Sequence, residues 1–309
     1  MSHESASRVA RVAVLHGAPP GSAENVPLWA ALIDALRRCG WVEGRNLEIH
    51  RRWTEGRGDR YSPLGAELVA LRPDLIVAAN SQATFALQHL TDTIPIVMVN
   101  VADPVRDGFV ASLERPGGTI SGVTNGMGGA LAGALNLLRE ILPEISRLAL
   151  LWVPANSGSR HGKDDLLALA PRYGLVVELA ATGTPEDFAP AFAAVAADRP
   201  DALMVHASSL LIVNASKIAE FAVAQRLPTL TGHHSMVRDG LLLAYSPDRV
   251  DLFRQAAECA DLILRGTDPA ELPIRQPTKF ELVVNRKTAH AIGLEIPAAI
   301  LARADEIIG

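Results

Sequence analysis

Apolar residues in the first half of the chain recur in two alternating rhythms. Short β-rich runs at 11–15, 46–53, 74–79 and 95–100 are separated by stretches in which apolar residues return every three or four positions, the spacing of a helix with one buried face. Leu28, Ala31, Leu32, Ala35, Leu36 and Cys39 keep that spacing, and Gly40 stops it. Helices are also predicted over 63–71 and 83–90. The runs at 75–79 and 96–99 are apolar without alternation, as in parallel strands covered on both faces. The order is βαβαβαβ.

Residues 115–118 (RPGG) punctuate this rhythm before a strand over 119–124 and a long helix over 130–142. A second series follows, with strands at 147–153, 175–179, 202–205, 229–231 and 241–244 and helices at 162–173, 187–197 and 215–226. The tail adds a helix over 250–264, a proline-bounded connector over 272–277, a strand over 280–284 and a helix over 286–292. The fold class expected is α/β, two doubly wound parallel-sheet lobes joined by a multi-strand hinge. The first lobe is expected to take 8–122 plus 247–275, and the second 123–246 plus 276–309. The connector 272–277 is expected to be an extended segment between lobes.

The length of 309 residues suits about two domains. With 49% hydrophobic and 20% charged residues, overall disorder is excluded. The net charge of −5 comes without a Lys/Arg cluster, so nucleic acid is not expected as a partner. No apolar run reaches the roughly 18–20 residues that span a bilayer. Residues 1–8 (MSHESASR) lack the apolar stretch of a secretory signal. Cys39 and Cys259 are read as small buried side chains inside helices, with a bridge between them left open.

The turn at 16–21 (HGAPPG) is not a dinucleotide fingerprint, and neither a G-x-x-x-x-G-K-[ST] loop nor a G-x-S-x-G elbow occurs. No cofactor is expected. His16, His206, His233 and His234 lie just beyond predicted strand ends, where open α/β sheets bind ligands. H-x-x-x-H and H-E-x-x-H spacings are absent, so no metal site is expected; ligand contact and plain loop position both stay open for these residues. Polar residues cluster at strand ends, at 80–84 (NSQAT) and 100–104 (NVADP) in the first series, and at 154–158 (PANSG), 206–209 (HASS) and 232–235 (GHHS) in the second. Ser81 is read as the N-cap of its helix, whose free amides suit an anion. Asp103 is read as an acceptor or as a turn former. The candidate ligand-binding residues are His16, Asn80, Ser81, Gln82, Asn100, Asp103, Asn156, His206, Ser208, His233 and Tyr245.

Five stretches carry a resemblance: 36–46 (LRRCGWVEGRN), 51–61 (RRWTEGRGDRY), 94–97 with 103–110 (DPVRDGFV), 113–124 (LERPGGTISGVT) and 273–308 (PIRQPTKFELVVNRKTAHAIGLEIPAAILARADEII). On these the chain resembles the ABC-transporter substrate-binding proteins of the tryptophan-binding-like group, with the type I periplasmic binding protein fold. The resemblance implies a non-enzymatic, extracytoplasmic receptor that closes on a small amino-acid-like solute in an interlobe cleft and presents it to ABC permease subunits as a monomer. It also implies that Asp103 and Tyr245 keep the family's pattern, while 206–210 (HASSL) and 232–236 (GHHSM) depart from it. Two other readings are a ligand-sensing module that controls a partner protein and, more weakly, an enzyme using His16, His206 and His233. A repressor's helix-turn-helix finds no room before a first strand that begins by about residue 9.

Overall fold

The computed structural model describes residues 9–17, 21, 25–55 and 57–309. The signal-like question posed by residues 1–8, and part of the 16–21 turn, lie outside the described residues. The chain divides into two compact units, Met1–Gly126 with Asp248–Lys279 and Met127–Pro247 with Phe280–Gly309.

In chain order the first unit contributes β1 (Ala10–His16), α1 (Asn25–Arg38), β2 (Leu47–Trp53), α2 (Tyr61–Ala70), β3 (Leu75–Ala78), α3 (Ser81–Gln88), β4 (Ile96–Val101) and β5 (Ile120–Thr124). The second follows with α4 (Met127–Ile141), β6 (Arg147–Trp152), α5 (Ser157–Leu169), β7 (Val176–Ala181), α6 (Phe188–Asp198) and β8 (Ala202–Val205). It continues through α7 (Ser209–Val213), α8 (Ala215–Ala224), β9 (Thr229–Thr231), α9 (His234–Arg238) and β10 (Leu243–Pro247). Helix α10 (Arg249–Leu264) returns to the first unit. The tail of the second unit is β11 (Phe280–Asn285), α11 (Arg286–Ile292), α12 (Ala298–Leu301) and β12 (Glu306–Ile308).

The first sheet has the order β2-β1-β3-β4-β5, with every pair parallel. Its unbroken apolar strands are explained by its two cores. Val12, Val14, Leu75, Val77, Val97 and Val99 face α1 and α10, while Ala13, Leu15, Ile76, Ala78, Ile96 and Met98 face α2 and α3. Successive strand residues point to opposite faces, so a strand covered on both sides must be apolar throughout.

The second sheet has the order β12-β11-β10-β9-β8-β6-β7. Leu148, Leu150, Met204, Leu230 and Leu282 face α4, α5 and α11, and Ala149, Leu151, Leu203, Val205 and Val283 face α6, α8 and α9. Strand β11 runs antiparallel to β10, with Tyr245 opposite Leu282, so this sheet is mixed rather than wholly parallel.

Two expectations are corrected. The connector 272–277 is extended but lies in the first unit, where it supplies β5 with an edge partner. Ser121 Oγ donates to the Leu272 carbonyl at 2.7 Å, Arg275 N to the Gly122 carbonyl at 2.8 Å, and Thr124 N to the Arg275 carbonyl at 2.9 Å. Without it the buried edge of β5 would keep unpaired amides and carbonyls. The passage to the second unit comes beyond it, between Lys279 and Phe280. Both cysteines are free, and Cys39 is half-buried one residue past α1 rather than inside it.

Among the described residues no helix is long and apolar enough to cross a membrane.

Candidate functional site

Parallel strands end along one edge, and in the first unit that edge gathers His16 of β1, Trp53 of β2, Asn80 after β3 and Asn100 of β4. The His16 ring is buried and meets Trp29 edge-on at 5.5 Å and Trp53 at 5.7 Å. Trp29 also lies 4.9 Å from Trp53 and 5.5 Å from Phe253. These T-shaped contacts suit the aromatic quadrupole. Trp29 Nε1 is shut off from solvent without a hydrogen-bond partner.

The helix after β3 starts differently from its sequence expectation. Asn80, not Ser81, is the N-cap of α3, accepting from Ala83 N through Oδ1 at 2.8 Å. Its extended backbone suits a cap, whereas Ser81 already belongs to the helix. Asn80 Nδ2 donates to Tyr61 Oη at 2.8 Å. Ser81 is half-buried and Gln82 exposed.

Asn100 is left-handed at φ 60°. It is the extra residue of a bulge, since Val99 pairs with Val123 and Val101 with Thr124. Asparagine tolerates this conformation, and a bulge re-aims a side chain at a sheet rim. Asp103 caps the next turn. It accepts from Arg106 N at 3.0 Å and pairs with Arg106 Nε at 3.3 Å.

The corresponding edge of the second unit carries Trp152, Asn156, His206, Ser208, His233 and Tyr245. Asn156 caps α5, accepting from Ser159 N at 2.8 Å, and so moves the helix start upstream of the predicted 162. Trp152 has the Lys163 ammonium 4.9 Å from its ring centre, and its Nε1 is buried without a partner. Burial lowers the His206 pKa to about 4, against a smaller opposing pull from the Gly158 backbone. His233 precedes α9 and its Nδ1 bonds Ser235 Oγ at 2.8 Å. His234 sits between Ser246 Oγ at 2.8 Å and Glu281 Oε2 at 3.4 Å. Tyr245 stacks on Phe280 at 5.4 Å and 13°. Among the described residues no three His, Cys, Asp or Glu side chains gather as metal ligands.

Both units thus concentrate polar and aromatic side chains at strand ends, and residues 27–308 match the family of ABC transporter substrate binding proteins. The chain belongs to that family. It is 24% identical over 263 residues, 85% of its length and 75% of the relative's, to a tyrosine-binding protein of Clostridioides difficile (strain R20291). A conserved domain protein of Vibrio cholerae has the same fold, with a TM-score of 0.84 at 25% identity over 97% of this chain and 100% of that one. So does the ABC domain of Streptococcus pneumonia in complex with L-Trp, with a TM-score of 0.84 at 22% identity over 97% and 99% of the two chains. A leucine binding protein of Thermotoga maritima extends the likeness, with a TM-score of 0.66 at 14% identity over 92% of this chain and 87% of that one. The fold is that of the type I periplasmic binding proteins.

Sequence reasoning missed Trp29, Trp53, Phe253 and Trp152. A signal existed for two of them. Trp53 and Trp152 fall in the last two positions of predicted strands, and the chain has only four tryptophans. Trp29 and Phe253 sit on helices, and only the packing of α1 and α10 on the first sheet brings them to His16.

Proposed function

We propose that this protein is the extracytoplasmic solute receptor of an ABC importer, closing its two units on a small amino-acid-like solute and presenting it to permease subunits. The family match over residues 27–308 carries the reading. Two relatives support the ligand class by what is said of them, one being a tyrosine-binding protein and the other an ABC domain in complex with L-Trp.

In this reading the contacts from the first unit are His16, Asn80, Ser81, Gln82, Asn100 and Asp103, and those from the second are Asn156, His206, Ser208, His233 and Tyr245. The aromatic groups around His16 and Tyr245 add apolar surface, which solute sites combine with a few polar groups. An amino-acid-like solute carries an anion and a cation, and either is expensive to bury unpaired. The amides at the start of α3 suit the carboxylate, and Asp103 suits the ammonium.

Native mass spectrometry of the purified protein identifies a retained solute. Returning that solute to stripped protein is expected to reduce the radius of gyration in small-angle scattering and to raise the melting temperature by RT ln(1 + [L]/Kd). Turnover of the solute, or binding that leaves the radius unchanged, overturns the reading.

A further inference from the structure

Each of the two sheets ends in two edge strands, and three of these edges are closed to a further strand. β2 carries charged side chains along its length: Arg51 pairs with Glu43 at 2.8 Å, Arg52 with Glu67 at 2.7 Å, and His50 lies 3.2 Å from Glu48. Charge of this kind protects an edge. β5 is covered by residues 272–277. β12 is only three residues long, and its Glu306 is held by Arg238 at 2.6 Å.

β7, the remaining edge, lacks these protections. Its six residues (VVELAA) contain no Lys or Pro, and the one charged side chain, Glu178, is paired with Arg147 of the neighbouring β6. Val176 is 60% exposed and Leu179 46%. Val176 N donates to the Ser146 carbonyl at 2.8 Å and Thr182 N to the Trp152 carbonyl at 2.9 Å, so the even-numbered residues turn their backbone groups toward β6. Those of Val177, Leu179 and Ala181 therefore turn outward, where the sheet has no further strand. Among the described residues nothing bonds to them.

The spacing of these groups selects the partner. An antiparallel strand must set outward residues against outward residues, so a second β7 related by a twofold axis can place Glu178, Leu179 or Ala180 on that axis. With Glu178 there, two like charges oppose each other. With Ala180 there, Val177 is left without a partner in the strand. With Leu179 there, Leu179 meets its own counterpart, Val177 meets Ala181, Glu178 meets Ala180, and no like charges face each other. All three outward residues of each copy are then bonded, which gives about six hydrogen bonds, within the usual range for a specific interface. A foreign strand has no such match built into this sequence.

We propose that β7 pairs antiparallel with β7 of a second copy of this chain, about a twofold axis at Leu179, joining two second-unit sheets into one continuous sheet. The protein is then a symmetric dimer, in place of the monomer that the family resemblance implies, whatever solute it binds.

The test is sedimentation equilibrium of the full chain between about 1 and 100 μM. The expected average mass rises from that of one chain to that of two. Leu179→Lys sets two ammonium groups against each other on the axis and should weaken dimerisation at least about 30-fold. Ala181→Lys, at an exposed position of the same strand, should weaken it in the same direction. Val213→Lys changes a 79% exposed residue on α7 and should leave the mass as it is. If Leu179→Lys does not fold, Ala181→Lys decides.

A chain of single mass up to about 100 μM, or a dimer that survives the β7 substitutions, overturns the pairing. A dimer broken by Val213→Lys does so too, since the interface then lies on α7. Each of these leaves the receptor reading standing, because that reading is tested by solute binding.

Discussion

Tyr61 Oη accepts a hydrogen bond from Asn80 Nδ2 at 2.8 Å, tying the first turn of α2 to the end of β3. Gly17 follows β1 directly beneath this bond. A Cβ on Gly17 would stand 2.4 Å from Tyr61 Oη and 2.9 Å from Asn80 Nδ2, so only glycine lets the pair form there. Burial raises the Tyr61 pKa, with the Asn80 and Thr54 hydrogen bonds opposing.

Asn80→Ala removes the α3 cap and leaves Tyr61 without this donor. The expected loss is about 1–2 kcal/mol, the upper range for a cap, read as a lower urea midpoint. Tyr61→Phe should lose about 1 kcal/mol. Because the two side chains share one bond, the double variant should lose less than the sum of the singles; strict additivity would show the bond to be energetically empty.

Gly122 has φ 133°, and a Cβ there would lie 2.1 Å from the Met98 carbonyl oxygen. Both obstacles are backbone and neither yields by side-chain rotation. Gly122→Ala is expected to lose at least about 3 kcal/mol, combining overpacking with a backbone conformation that alanine resists. Gly129 in α4 meets nothing within 4 Å, and Gly129→Ala should gain up to about 1 kcal/mol. Melting temperatures followed by circular dichroism should move in opposite directions.

The His206 ring titrates near 4 in the folded protein against an ordinary 6.5. Well above pH 6.5 both states are neutral there and the group adds no pH dependence. Between 6.5 and 4 the unfolded chain binds the extra proton, so stability falls on acidification, by up to about 3 kcal/mol in full. Urea midpoints at pH 6.5, 5.5 and 4.5 should decline more steeply for the wild type than for His206→Asn. Parallel profiles would place the His206 pKa at its ordinary value.

Cys259 is fully buried, and desolvation pushes its thiol up to about 11. Cys39 is half-buried and its pKa is also raised, first by burial and then by the Asp261 and Glu258 charges. The thiolate is the reactive form. Folded protein at pH 8 should therefore react slowly at Cys39 and not at all at Cys259 with a disulfide reagent, and at both in denaturant. Rapid labelling of two thiols in the folded state would contradict the buried position of Cys259.

Part of the strand-end geometry lay within reach of local pattern. The polar run NSQAT at 80–84 marked a strand end, and that end proved to be where Asn80 caps α3. The capping residue itself was misassigned to Ser81, because Asn and Ser are equally good caps and the choice depends on where the backbone leaves the extended region. Asp103 was read as acceptor or turn former, and its partners at Arg106 N and Nε come from its own turn.

The alternating apolar rhythm alone determined two α/β series, their strand order along the chain and the polar character of their carboxyl ends, because periodicity is a local consequence of which faces are buried. Tertiary structure decided what periodicity cannot encode. It set β11 antiparallel to β10, laid residues 272–277 beside β5 and carried Trp29 and Phe253 from two distant helices to His16. It also left the Trp152, His206 and Ser208 atoms unpaired at neighbouring strand ends. Each of these depends on contacts between residues far apart in sequence, where pairing and desolvation are settled by the assembled sheet and not by the neighbours along the chain.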